Sequence, residues 1–154
     1  MFINDEIYKV IVDKTIIWTV DLIIINTNNE ILLWQRNNNP LIWEYYLPGW
    51  RRYKWEKILI SAKRKAFEEL GLNIDENKLI FIWVYDDIYE NSMYDWISSH
   101  YCPIIFAYKI DEIEEKMIKI DSQHSDMKFF NVDDKNLHHY IIERINDIKK
   151  LNII

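Results

Sequence analysis

LPGWRRYKWEKILISAKRKAFEELGL, residues 47–72, is the stretch whose reading decides the rest of the chain. Leu59, Ala62, Ala66 and Leu70 recur at spacings of three and four, which gives a helix one apolar face. Gly71 follows as its C-terminal cap. Ahead of the helix, a short strand ends in a tight turn at Pro48-Gly49, and a basic loop follows. The charged positions of interest are Glu56, Arg64, Glu68 and Glu69. A loop that exposes backbone carbonyls, followed by a helix with acidic residues near its far end, suits a hard cation such as Mg²⁺. That ion takes oxygen ligands and shares them with substrate phosphates. Residues 65 and 69 lie one helical turn apart, so Lys65 leaves Glu69 the only carboxylate on that face, which disfavours a multi-metal site.

Outward from this stretch, residues 4–13 can start a helix behind Asn4 or Asp5, with Ile7, Val10 and Ile11 apolar. Residues 15–26 are rich in β-branched side chains and read as a long strand interrupted by the charge of Asp21. A turn at 26–30 and a strand at 31–36 complete a hairpin; a loop at 37–40 and a short strand at 43–47 lead into the central stretch. Beyond Gly71, 74–78 is a connector, and strands are expected at 79–89, 99–110 and 127–131, with loops at 89–97 and 121–126. A helix is expected over 134–151, with Leu137, Ile141, Ile145 and Ile148 on one side. Strands around one central helix, with a second helix at the end, make an α+β sandwich, read as a single domain over 1–154.

Composition narrows the class. The 154 residues are 49% hydrophobic and 29% charged, as in a globular chain able to bury a core. A net charge of −6 argues against a general nucleic-acid backbone binder and leaves room for a nucleotide held by a few local cations. Cys102 is the only cysteine, so no disulfide frame or thiolate metal cluster is expected. The apolar run Leu22–Ile25 is too short to span a membrane and no leader pattern is seen, so the expected location is the cytoplasm.

The central stretch resembles the Nudix box, G-x5-E-x7-R-E-U-x-E-E-x-G-U with U aliphatic. It matches at Glu56, Arg64, Ala66, Glu68, Glu69, Gly71 and Leu72, and departs at Trp50 and Lys65. Outside the box the chain is similar to the GDP-mannose mannosyl hydrolase branch of that family. The resemblance lies in D-L-I-I at 21–24, L-L-x-x-R at 32–36, R-N-N-N-P at 36–40, L-P-G-x-R at 47–51, S-H-Y at 99–101 and D-S-Q-H-S-D at 121–126. It implies a mixed β-sheet sandwich with a central catalytic helix and a C-terminal helix, and a homodimer. It also implies Mg²⁺-dependent attack of water on the anomeric carbon of a GDP-hexose, giving GDP and free sugar with inversion.

By the same resemblance, the Gly49 carbonyl, Glu69 and Gln123 are the metal ligands. Arg36 and Arg51 clamp the diphosphate, Tyr101 adds a hydrogen bond, His124 is the general base and Asp21 is the anion that steadies the sugar cation. Plainer readings stand beside these. Asp21 could be a structural partner for an Arg, and Glu56 and Arg64 would hold the loop to the helix. Glu68 either pairs with Arg64 or lends a second metal ligand, while His138 and His139 read as solvated. Asp87 stands about where the family has His, which implies a lost phosphate contact. Two other functions remain open: a pyrophosphohydrolase that cuts between phosphorus atoms, and a degenerate domain that senses a nucleotide sugar.

One compositional feature is unusual. The chain holds 2 Gly and 7 Trp, where Gly is typically about 7% of residues. Trp50 takes the box's glycine place, and Trp34, Trp43, Trp55, Trp83 and Trp96 also fall where relatives usually or often carry Gly. Either the gene carries UGA codons that specify glycine, or one or two of these rings line an aromatic pocket that stacks guanine.

Overall fold

The computed structural model describes residues 3–118 and 126–154. Among them are eight strands and four helices in chain order: α1 (Asp5–Lys14), β1 (Ile17–Ile25), β2 (Ile31–Gln35), β3 (Tyr45–Tyr46), β4 (Gly49–Arg51), α2 (Ile58–Leu70), β5 (Ile80–Val84), β6 (Asp87–Tyr89), β7 (Ser99–Lys109), α3 (Glu112–Met117), β8 (Met127–Phe130) and α4 (His139–Lys150). The expected α+β sandwich is what the chain forms. One sheet runs β3-β2-β1-β7-β5, with β4 joined to β1, β6 to β7 and β8 to β2. It is mixed: β1 and β7 are parallel over nine residue pairs, from Ile17–Tyr101 to Ile25–Lys109, and the other pairings are antiparallel.

The alternation along β1 divides the core. Val20, Leu22 and Ile24 face α2, where they meet Ala62, Ala66 and Leu70; Ile23 and Ile25 face α4 and meet Ile141, Ile145 and Ile148. Each of these Val, Leu and Ile side chains, taken from water, contributes roughly 1.5–3 kcal/mol. Ala62 and Ala66 are fully buried, and their small size lets α2 lie close on the sheet. Gly71 ends α2 at φ 72, with its N–H donated to Phe67 O, so the expected cap is there. No helix among the described residues is long and apolar enough to cross a membrane.

Several boundaries differ from expectation for local reasons. Residues 49–51, expected as turn and basic loop, form β4 against β1, a strand too short to show a period. The strand expected over 79–89 is two, because Tyr85 leaves the ladder and donates its N–H to Pro103 O. Helix α3 was not expected; Asp111 and Glu114 form a reciprocal capping box at its start. Helix α4 begins later than 134, with the His138 side chain accepting the Tyr140 N–H as its cap. His138 is therefore a half-buried structural residue, its imidazole pushed down by burial, and not a solvated one. In α1, capped by Asn4 as one of the two expected residues, Val12 is buried while Ile7 and Val10 stay exposed.

Candidate active site

Strand pairing brings five of the predicted residues to one open cleft. Asp21 from β1, Arg36 from the end of β2, Gly49 and Arg51 from β4 and Tyr101 from β7 all line it, joined by Tyr8, Tyr46, Trp50, Asp87 and Tyr89. Asp21 and Gly49 are register partners, and any Cβ at 49 would collide with the Asp21 carboxyl and backbone. Glycine is required there, whatever its carbonyl does. His124 and Gln123 lie outside the described residues.

The cations are held at the rim. Arg36 donates Nε to Pro40 O at 2.7 Å and Nη2 to Asn38 Oδ1 at 3.2 Å, fixing its guanidinium beside the 37–41 loop. The Arg51 guanidinium lies 5.4 Å from the Tyr8 ring and 5.3 Å from the Tyr53 ring. Tyr101 stacks edge-on against Tyr89, and burial pushes its phenol up, so it remains a hydrogen-bond donor. Two forked cations and a phenol in one cleft can receive a diphosphate.

The floor of the cleft is acidic. Asp21 is pushed up to about 7, first by burial and then by the charge of Asp87. Asp87 accepts the Tyr46 hydroxyl at 2.5 Å and forms an ion pair with Arg144 of α4; both partners are almost fully buried. Tyr89 extends the chain of bonds with its hydroxyl 3.4 Å from that of Tyr46. The sequence reading did not anticipate this Tyr89–Tyr46–Asp87–Arg144 network, which depends on β6 and α4 meeting in space. A signal existed for Arg144, which falls between Ile141 and Ile148 on the buried stripe of its helix.

The motif helix behaves partly as expected. Arg64 grips Glu56 with two bonds, Nε–Oε1 at 2.6 Å and Nη2–Oε2 at 2.9 Å, and Glu56 also accepts the Tyr53 N–H. This holds the loop to the helix and keeps the Glu56 carboxyl down at about 2. Glu68 pairs with Arg64 at 2.9 Å and with Lys65 at 3.3 Å. The Lys65 ammonium sits 2.5 Å from Glu69 Oε1, and both groups are buried. Glu69 does not line the cleft; it stands on α2, with burial pushing its carboxyl up and Lys65 opposing that.

These donors bear on metal binding. Glu69 Oε2 is buried with no hydrogen-bond partner, an oxygen that a hard cation could satisfy. Its other oxygen is taken by Lys65, and Glu56 and Glu68 are occupied by Arg64. Among the described residues no group of three or more His, Cys, Asp or Glu side chains converges to hold a metal ion. One such oxygen fits a contribution to a single divalent ion and not to a cluster.

The chain is similar to known proteins over most of its length. A family model described as NUDIX domain matches residues 16–146. The low-salt glycan biosynthesis protein Agl8 of Haloferax volcanii is 30% identical over 141 residues, covering 90% of this chain and 86% of that protein. The NUDIX domain of Shewanella oneidensis NrtR, solved as a cocrystal with ADP ribose, matches with a TM-score of 0.69 at 16% identity, over 97% of this chain and 99% of that one. A MutT/nudix family protein from Enterococcus faecalis matches with a TM-score of 0.62 at 18% identity, over 77% of this chain; the match spans 44% of that longer chain. At these identities the two structural likenesses speak to fold.

Proposed function

We propose that this chain, which belongs to the NUDIX domain family, hydrolyses a GDP-hexose by attack of water on the anomeric carbon, with Mg²⁺ as its metal. The observation that carries this reading is the Lys65–Glu69 ion pair. A buried ammonium stands on the helix face where carboxylates would assemble several metal ions to activate water at phosphorus. Displacement at carbon needs less of that. It asks for charge neutralisation on a departing diphosphate and an anion near the sugar.

In the proposed reaction the oxygen of water bonds to C1 as the C1–O bond to the diphosphate breaks. The electron pair stays on the diphosphate oxygen, and the water proton passes to His124. Arg36, Arg51 and Tyr101 receive the diphosphate, while Asp21 faces the developing positive charge on the sugar. One Mg²⁺, held through Glu69, the Gly49 carbonyl and Gln123, would supply Lewis-acid neutralisation of the leaving group. One relative lends support at the level of substrate class: it is named for glycan biosynthesis. Cleavage between phosphorus atoms is the second reading, resting on retained Glu68, but that carboxylate is already engaged by two cations.

Phosphorus NMR of a reaction with GDP-mannose or GDP-glucose and Mg²⁺ tests the proposal. The expected product is GDP with free hexose; GMP with a sugar phosphate would establish the second reading, and binding without turnover would leave a sensor.

A further inference from the structure

We propose that the residues the gene specifies at 43, 55 and 96 are glycines, encoded by UGA, and that Trp83 and Trp50 share that origin. Three four-residue turns carry the argument. In each, the N–H of the fourth residue is donated to the C=O of the first: Glu44 to Leu41 at 3.0 Å, Glu56 to Tyr53 at 3.1 Å and Ile97 to Tyr94 at 3.4 Å. In each the third residue is a Trp with positive φ: 72° at Trp43, 70° at Trp55 and 64° at Trp96. The third place of such a turn, when φ is positive, is where glycine is required because it has no Cβ. Gly71, the cap of α2, has φ 72.

Bulky side chains rarely adopt this conformation. At a few per cent per residue, three of seven Trp by chance would be on the order of one in a thousand. Among the described residues the other non-glycine positions with positive φ are Asn29, Asn152 and Leu41, of which Asn tolerates it. Nor do the indoles repay the strain by burial. Trp43 is 65% exposed, Trp55 90% and Trp96 100%. Among the described residues Trp43 forms its hydrogen bonds through its backbone, which donates to Arg36 O and accepts from Gln35 Nε2. The Trp55 ring has the exposed Lys54 ammonium 5.5 Å from its centre.

Trp83 adds a second kind of backbone evidence. It sits at the register shift between Phe81 and Trp83 where β5 pairs with β7, 62% exposed, and bulges are another place where glycine is used. Trp18 is the internal contrast: it lies in regular β1 paired with Cys102 and needs no special conformation; Trp34, expected at a glycine place, is likewise buried in regular β2 opposite Tyr46 and Met127, and its backbone does not ask for glycine. The consequence at the site is through Trp50, which lines the cleft next to Gly49. Trp50 pairs with Val20, so its side chain lies on the other face of β4 from Gly49 and Arg51, and glycine there would bare the backbone at the cleft's edge.

The test is peptide mass spectrometry of the protein isolated from its source organism, with the codons read in parallel. The expected result is Gly at 43, 50, 55, 83 and 96 over UGA codons, and Trp at 18 over UGG. Trp in the native peptides at 43, 55 and 96, whether over UGG or UGA, would overturn the proposal. A recombinant comparison gives a second readout: Trp55→Gly and Trp96→Gly should each raise the thermal midpoint by about 2–4 °C through relief of backbone strain. An unchanged or lower midpoint for both would contradict it.

Discussion

Asp21 stands in a strand of aliphatic neighbours, and burial together with the charge of Asp87 holds its carboxyl at about 7 against an ordinary value of 3.8. Between those two pH values the folded chain keeps a proton that the unfolded chain has lost. The contribution to stability is therefore fully present below about 3.8 and is lost as the pH rises through about 7. Asp21→Asn should remove this slope: urea unfolding of the two proteins, compared from pH 4 to 8, should show wild type losing stability relative to the variant as pH rises. Parallel curves would mean that Asp21 titrates normally. The anion that would steady a sugar cation is populated as the pH passes about 7. At this scale the sequence was informative where a residue type is odd for its element. Asp21 in an apolar strand and Lys65 beside Glu69 were both visible, whereas the partners that set their chemistry lie far away in the chain.

Helix α4 is tied to the cleft by one buried ion pair, Arg144 with Asp87. Arg144→Met should cost about 3–5 kcal/mol by urea unfolding, since it strands the Asp87 charge in the interior. Asp87→Leu combined with Arg144→Met should recover most of that loss, and a single variant costing under about 1 kcal/mol would show the pair to be dispensable. The elements themselves were legible where a period or cap is long enough to register. Helix α2 announced itself through Leu59, Ala62, Ala66, Leu70 and Gly71, although Leu59 proves to be exposed. Strand β4 could not, because three residues carry no period and its existence depends on pairing with Thr19, Val20 and Asp21. Helix α3 carries its own signal in the Asp111 to Glu114 capping spacing.

For the molecule as a whole, the fold followed from one motif and its flanks because strand, loop and helix lengths there leave few arrangements. The cleft's membership followed less directly. Asp21, Arg36, Gly49, Arg51 and Tyr101 meet because β1 pairs with both β4 and β7, a topology that spacing alone does not reveal. Attack of water on carbon, as proposed, would leave both phosphates on the nucleoside. Hydrolysis of a GDP-hexose in ¹⁸O-labelled water, followed by mass spectrometry of both products, tests it most directly. The label is expected in the free hexose and none in GDP; label in a phosphate would overturn attack at carbon.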